Sequence, residues 1–259
     1  MSRDDDRIHP AARGRRAGVH AERSLFTGLA ALSLASATAH AAPPPSLMLW
    51  AWERPEDLRA IPDGVGVAYL RATVSVSDRG VRVAPRRQPL RVREGAFVMP
   101  VVRVEVERGH GTLTPTDRAR VVAELVRAAG GRAVQIDLDA PRSLRSSYGL
   151  LLREARAALG PTVWLSMTAL ASWCEGDRWL ESERPPVNEV VPMVFDMGTD
   201  SRAVLDALRS RGMFRSGVCR GSVGWAEGQT TVPLRGARRR YVYNRRSWTP
   251  DAVARWARW

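Results

Sequence analysis

The chain has 259 residues, 44% of them hydrophobic and 26% charged, a composition typical of one folded domain rather than a disordered or fibrous protein. Its 40 basic residues are all arginine, outnumber 27 acidic ones and give a net charge of +13. No apolar run reaches the roughly 20 residues that a membrane-spanning helix needs.

The amino-terminal segment has the order of features found in a secretory signal. A basic stretch from Arg13 to Arg23 precedes an apolar segment from Leu25 to Ala39, and Ala39-His40-Ala41 is a small-x-small cleavage pattern. We therefore predict a signal peptide over residues 1–41 and export of the cleaved protein to the periplasm or the medium. The alternative is a disordered amino-terminal tail.

Short apolar runs alternate with amphipathic stretches along the rest of the chain, residues 42–259. This alternation is typical of parallel strands joined by crossovers. The eight predicted strands are Ser46–Trp52, Val65–Leu70, Phe97–Val104, Ala133–Asp139, Val163–Leu170, Glu189–Phe195, Gly217–Val223 and Arg240–Asn244.

Helical crossovers are predicted between most of these strands. They begin at Thr114-Pro115, at the candidate caps Ser143 and Ser147, at Ser201, and at Thr249-Pro250 after the last strand. The second crossover differs, because residues 73–93 alternate apolar and polar side chains around Asp78-Arg79-Gly80, which predicts a hairpin.

These elements predict a (β/α)₈ TIM-type barrel over residues 42–259, with a β-hairpin excursion in place of the second crossover helix. An open doubly wound sheet is the alternative. It is disfavoured because no Gly-x-Gly-x-x-Gly follows the first strand.

Cys174 and Cys219 are predicted to be buried free thiols, because the strand assignment puts them at opposite ends of the barrel. A disulfide between them remains the alternative in an oxidising compartment. Two cysteines and four scattered histidines provide no metal-ligand spacing, so we predict no metal site and no cofactor.

The most informative motif is Gln135-Ile136-Asp137-Leu138-Asp139, at the end of the fourth predicted strand. Residues two apart on a strand share a face, so Asp137 and Asp139 are expected to project into the same space at the barrel end where active sites form. Two nearby carboxyls acquire different pKa values, as general acid and base catalysis requires. Alternatively, Asp139 only begins the next loop and Asp137 pairs with an arginine such as Arg103.

Other strand ends supply further candidates. Glu105 is a third candidate catalytic carboxyl, although an ion pair with an arginine is an equally good explanation for it. The candidate substrate-binding residues are Trp52, Glu53, Trp173, Asp196, Trp225 and Tyr243. An indole at a strand end is suited to stacking on a sugar ring, but each tryptophan is also explained as a core residue.

The segments Leu49–Glu53, Val134–Asp139 and Thr168–Cys174 together resemble a bacterial family known as domain of unknown function 3142. That family is similar to glycoside-hydrolase-type barrels, and the resemblance implies this fold and a carbohydrate ligand. Chitinase-type barrels carry Asp-x-Asp-x-Glu at strand four, with the glutamate as proton donor. Here Pro141 occupies the position of that glutamate, so another acid, Glu105 being the nearest candidate, would have to act as donor.

Three functions remain open at this level. The first is an exported glycosidase-like barrel that hydrolyses or binds a carbohydrate of the cell envelope. The second is a catalytically inactive barrel that binds glycan or has a structural role in the envelope. The third, nucleic-acid binding, has the least support. It rests only on the charge of +11 in residues 42–259, which contain 34 arginines and 23 acidic residues. It predicts one continuous basic face.

Overall fold

A computed structural model describes residues 42–258. The predicted signal segment 1–41 lies outside the described residues. The strands are β1 Leu47–Ala51, β2 Glu56–Leu58, β3 Val65–Ser77, β4 Gly80–Pro85, β5 Leu90–Val92, β6 Val98–Val106, β7 Ala133–Asp137, β8 Trp164–Leu170, β9 Glu189–Met193, β10 Ser222–Ala226 and β11 Arg239–Tyr243. The helices are α1 Pro115–Ala129, α2 Arg145–Leu159, α3 Ala171–Glu175, α4 Trp179–Glu183, α5 Ser201–Arg211 and α6 Pro250–Ala257.

Eight parallel strands form a closed barrel, in the order β1, β3, β6, β7, β8, β9, β10 and β11. The barrel closes because β1 pairs in parallel with both β3 and β11, where Leu47 lies beside Val65 and Arg240 respectively. Helices lie between most consecutive barrel strands, which confirms the predicted TIM-type barrel. None of the helices in residues 42–258 is both long and apolar enough to cross a membrane.

The predicted hairpin excursion is also confirmed. β3 continues well beyond the other barrel strands and turns at Asp78-Arg79 into the antiparallel β4, with Ser77 paired to Gly80. Gly80 has a φ of 108°, a conformation that this tight turn requires and that side chains disfavour. β6 follows β3 as far as Val106, so β3 and β6 together extend one side of the barrel past its rim.

The core has two parts, separated by the wall of the barrel. Inside the barrel, Met48, Trp50, Met99 and Tyr241 pack in one cluster. A larger cluster of mainly Leu, Val and Ala fills the layer between the strands and the helices. The nearly continuous burial of β1 and β7 reflects this arrangement, because their alternate residues contact the two clusters in turn.

The start of α1 agrees with its sequence signals. Thr114 accepts a hydrogen bond from the backbone of Asp117, whose side chain accepts one from the Thr114 backbone, and the helix ends at Gly130 with a φ of 53°. The predicted caps of α2 were wrong. Ser147 is buried within the helix, where its hydroxyl donates to the Leu144 carbonyl and accepts from Leu113 N, and Ser143 lies in the preceding 3₁₀ turn.

The predicted strand Gly217–Val223 was misplaced. Residues 217–219 form a 3₁₀ turn outside the barrel, and β10 begins only at Ser222. The run was misread because a short apolar segment does not distinguish a buried turn from a strand.

Cys174 and Cys219 form a disulfide, which corrects the prediction of free thiols. Cys174 was expected just past the end of one strand and Cys219 near the beginning of another, but Cys219 lies in the 3₁₀ turn before β10 and not on a strand. Cys174 lies in α3, which begins directly after β8 and carries the chain into the outer layer, where the 3₁₀ turn with Cys219 also packs. The two Cα atoms are 6.0 Å apart, and Ser216 N donates to the Cys174 carbonyl at 3.0 Å.

The amino-terminal end of the barrel is held by Glu189 and Arg239. The Glu189 carboxylate is buried, accepts hydrogen bonds from the hydroxyls of Ser222 and Tyr241, and pairs with the Arg239 guanidinium at 2.5 Å. Arg239 also donates to the Pro44 carbonyl from Nε and Nη2, at 3.0 and 2.7 Å. The chain entering β1 is thereby attached to the barrel end opposite the carboxyl ends of the strands.

Candidate functional site

A cleft of about 820 Å³ opens at the carboxyl ends of the barrel strands, and we call it the main lobe. A second cavity of about 620 Å³, the side lobe, adjoins it between β6 and the segment after β7. The main lobe is lined by Trp50, Trp52, Glu53, Arg54, Leu70, Thr73, Arg103, Glu105, Asp137, Asp139, Leu170, Ala171, Ser172, Met193, Phe195, Asp196, Met197, Gly198 and Tyr243.

Asp137, the last residue of β7, is the most buried carboxyl of the cleft, with 6% of its surface exposed. Its Oδ1 accepts a hydrogen bond of 2.7 Å from Thr168 Oγ1 on β8. The pKa of Asp137 is raised to about 6, mainly by burial and further by the nearby charges of Asp139 and Glu105. The Thr168 hydrogen bond and the Arg103 charge act in the opposite direction.

Asp139 follows Asp137 by two residues and has an exposed side chain. The walls of the cleft still remove part of its hydration, which raises its pKa, while the charge of Arg103 acts against the rise. Within residues 42–258, its carboxyl makes no hydrogen bond or ion pair. Asp139 is therefore an accessible carboxyl beside a buried one.

Glu105 and Arg103 lie on β6, next to β7, where Arg103 is in register with Asp137. Arg103 Nε is 3.0 Å from Glu105 Oε1, and the guanidinium lies 5.8 Å from the centre of the Trp52 ring. Asp137 thus has no ion pair with Arg103, which pairs instead with Glu105. Three carboxyls and one guanidinium meet at the ends of two neighbouring strands.

Aromatic side chains form much of the remaining surface of the main lobe. Phe195 and Tyr243 stack with ring centres 5.5 Å apart, and Phe195 and Trp50 form an edge-to-face pair with ring centres 6.0 Å apart. The orientation of the Trp50 ring is fixed by a hydrogen bond, because its Nε1 donates to Gln135 Oε1 at 2.8 Å. Trp52, Phe195 and Tyr243 are half-buried, so each keeps part of its surface available to a ligand.

Two other predicted residues line the main lobe but are held by protein partners. Glu53 Oε1 accepts hydrogen bonds from the backbone of Arg87 and Gln88, at 3.0 and 2.9 Å. Asp196 pairs with Arg245 and accepts a hydrogen bond from Gln229 at 3.0 Å. Both carboxylates hold loops at the rim of the cleft.

Trp173 and Trp225 do not line either lobe, although the sequence suggested that they would contact substrate. Trp173 is 1% exposed in α3 and packs against Trp179 with ring centres 5.2 Å apart. Trp225 is also 1% exposed and lies in the outer core cluster. The preceding Gly224 faces the barrel interior next to Trp50, so the alternation of the strand turns Trp225 outward.

Three contributors to the site are absent from the predicted set: Arg103, Phe195 and Thr168. Each lies near the carboxyl end of a barrel strand, since Arg103 and Thr168 belong to the last residues of β6 and β8 and Phe195 follows β9 by two residues. The register of β6, β7 and β8 places Arg103 and Thr168 on either side of Asp137. Barrel closure sets this register, so it cannot be predicted from the sequence of each strand taken alone.

The side lobe shares Arg103, Glu105, Asp137 and Asp139 with the main lobe. Its own lining includes Glu107, Arg108, His110, Ser143 and Pro141, the residue at the position of the chitinase-type glutamate. Across residues 42–258, no three His, Cys, Asp or Glu side chains are grouped as a metal site requires.

Comparisons with known proteins give weak similarity only. No family model matches the chain, so its resemblance to domain of unknown function 3142 stays a prediction, and no curated protein matches it. The chitinase domain of the spore coat protein CotE from Clostridium difficile superposes with a TM-score of 0.40 and 14% identity, over 60% of this chain and 51% of that one. The spore cortex-lytic enzyme SleL from Bacillus cereus gives a TM-score of 0.42 and 16% identity, over 71% of this chain and 51% of that one. The chain therefore spans about half the length of each of these two structures.

Proposed function

We propose that the protein is a glycosidase-like barrel that hydrolyses a carbohydrate of the cell envelope. The proposal depends on one observation. Asp137 is a buried carboxyl whose pKa is raised to about 6, and accessible carboxyls line the same cleft. Glycoside hydrolysis uses two carboxyl groups with different protonation states. The half-buried aromatic rings of the main lobe are suited to contact the faces of sugar rings.

In this proposal Asp137 is the general acid, because its raised pKa keeps it protonated in a larger fraction of molecules than an ordinary aspartate. Its proton is transferred to the glycosidic oxygen as the bond breaks. Glu105 or Asp139, both exposed to the cleft, provides the carboxylate that attacks the sugar or activates water. In this proposal Asp137 is the proton donor, the role of the glutamate whose position in the chitinase-type motif is occupied here by Pro141.

A screen of purified protein against envelope and storage glycans, reading reducing ends and binding together, tests the proposal. We expect release of reducing ends by the wild type, and a loss of about a hundredfold or more in Asp137→Asn, since general acid catalysis contributes roughly 10²–10⁴. Asp206→Asn, the same change on the exposed face of α5, is the matched control and should keep full activity. Equal activity in Asp137→Asn and Asp206→Asn would contradict the role of Asp137.

Binding without hydrolysis is the second candidate function. It is favoured by the fact that Glu53, Glu105 and Asp196 are all engaged with arginines or with backbone amides. In that case the screen gives binding with no release of reducing ends, and Asp137→Asn leaves affinity unchanged.

We also propose that the protein works outside the cytoplasm. The Cys174–Cys219 disulfide supports this, because disulfides persist mainly in oxidising compartments. Fractionation of cells that produce the full chain, with a Cys174–Cys219 redox assay on each fraction, tests the proposal. Cytoplasmic, reduced protein would overturn it.

A further inference from the structure

The two lobes meet at the candidate catalytic residues. Arg103, Glu105, Asp137 and Asp139 border both the main lobe and the side lobe, so the carboxyls lie between two cavities rather than at the closed end of one. Resting on the proposed function, we infer that the ligand is a neutral carbohydrate chain that extends through both lobes, with an internal unit at the carboxyls.

The size of the lobes favours a chain over a single sugar. The lobes measure about 820 and 620 Å³, and each is within the range of roughly 300–1,000 Å³ that a complete small-molecule site occupies. A single sugar unit at the carboxyls would leave most of both lobes filled with water. A chain of several units occupies both and places its middle at Asp137.

The outer wall of the side lobe is built into the fold. β3 and β6 extend past the barrel rim, and Glu107 N continues their pairing by donating to the Val76 carbonyl at 2.9 Å. His110 then fixes the following loop, because its two ring nitrogens lie 2.8 Å from Asp78 Oδ1 and 3.3 Å from Asp117 Oδ2. The wall is therefore attached to both the hairpin and the start of α1.

The two lobes differ in chemistry. The main lobe has the aromatic surface of Trp52, Phe195 and Tyr243, whereas the described lining of the side lobe contains no Trp, Tyr or Phe. The side lobe instead has hydroxyl and charged groups such as Ser143 and Arg108, and its four carboxyl residues outnumber its two arginines. Sugar faces stack on one side of the carboxyls, and sugar hydroxyls form hydrogen bonds on the other. In both lobes carboxyl residues outnumber arginines, which disfavours an anionic chain because like charges repel. This excess of carboxyls is the reason for inferring a neutral chain.

Chain-length dependence tests the inference. The probes are neutral glucose, xylose, mannose and N-acetylglucosamine oligomers, each as dimer and hexamer, titrated into Asp137→Asn protein so that no ligand is consumed. For the series that binds, we expect the hexamer to bind at least about tenfold more tightly than the dimer, because only the hexamer reaches both lobes. Equal affinities would overturn the inference, and this comparison needs no variant in the side lobe.

A matched pair of variants locates the effect. Ser143→Trp places an indole in the side lobe and should reduce hexamer affinity to that of the dimer. Arg142→Trp, the exposed neighbour in the same 3₁₀ turn, does not line the lobe and should leave the affinity ratio unchanged. If the two folded variants bind the hexamer with equal affinity, the inference of a ligand in both lobes is overturned, but the proposed carbohydrate binding is not. Failure of every series to bind or to release reducing ends would overturn the proposed function itself.

Discussion

Thr168 Oγ1 donates a hydrogen bond of 2.7 Å to Oδ1 of Asp137, the one side-chain hydrogen bond that this buried carboxyl makes within the described chain. The bond stabilises the charged form and opposes the effect of burial, so that the pKa of Asp137 is raised only to about 6. Thr168 therefore decreases the fraction of molecules in which Asp137 is protonated near neutral pH.

Replacement of Thr168 by valine should raise the pKa of Asp137 further, because the charged form loses its hydrogen-bond donor. The alkaline limb of a pH–activity profile, where the general acid loses its proton, or an NMR titration of the aspartate carboxyl, measures the shift. Thr168→Ser keeps the hydroxyl and is the control. An unchanged or lower pKa in Thr168→Val would show that the hydrogen bond does not tune this carboxyl.

Asp137 should also lower the stability of the folded protein at neutral pH. Its folded-state pKa of about 6 exceeds the ordinary value of 3.8, so the folded state holds the proton more tightly. The penalty is absent below about pH 4, grows as the pH rises to 6 and is complete above that, at about 3 kcal/mol. Asp137→Asn should therefore increase the free energy of unfolding by up to this amount at pH 8 and by much less at pH 4, measured by denaturant titration. Asp206→Asn is the control, and an equal gain at both pH values would contradict the argument.

His110 should stabilise the protein most strongly at low pH. The hydrogen bond to Asp78 is the main cause of its raised pKa, and Asp117 also contributes. A raised folded-state pKa gives stabilisation that is fully present below the unfolded value of about 6.5 and is lost as pH rises through the folded value. We expect His110→Ala to lower the urea midpoint more at pH 5.5 than at pH 9. An equal loss at both values would assign His110 a packing role only.

The Cys174–Cys219 disulfide should contribute substantially to stability, because it closes a segment with a sequence separation of 45. The chain-entropy estimate for such a loop is about 4 kcal/mol. Reductant should therefore lower the melting temperature of the wild type but not that of a Cys174→Ala, Cys219→Ala double variant. A melting temperature independent of reductant in the wild type would show that the bond does not stabilise the fold.

Gly224 should be essential for the floor of the cleft. A Cβ at this position would lie 2.8 Å from the Trp50 ring, whereas a Cβ at Gly221 would meet nothing within 4 Å. Gly224→Ala should cost about 1–3 kcal/mol in unfolding free energy and shift the tryptophan fluorescence, as Trp50 moves away from Gln135. Gly221→Ala is the matched control. The absence of any difference between the two variants would mean that Trp50 adapts without cost.

The barrel was predictable because local signals and burial pattern agreed for most strands. Apolar runs at β1, β7 and β8 are short and bounded, and the alternation in residues 73–93 distinguishes a hairpin from a helix. Asp137, Asp139 and Glu105 could be placed together for the same reason, since parallel strands end at one face.

The parts that were missed depend on contacts between segments far apart in the chain. Trp225 faces outward because Gly224 leaves room for Trp50, and that relationship exists only once β1 and β10 enclose the same interior. The disulfide likewise depends on how α3 and the 3₁₀ turn before β10 pack in the outer layer. Strand-end position alone does not determine which way a side chain points.

The attachment of Pro44 to Arg239 has a practical consequence for handling the protein. The Pro44 carbonyl is bound at the barrel end where β1 begins, whereas the cleft opens where β1 ends. A linker joined ahead of Pro44 starts on the far side of the molecule from the cleft. Protein immobilised on a sensor or resin through a linker joined directly ahead of Pro44 should therefore present the cleft to the bulk solution, with its mouth clear of the support.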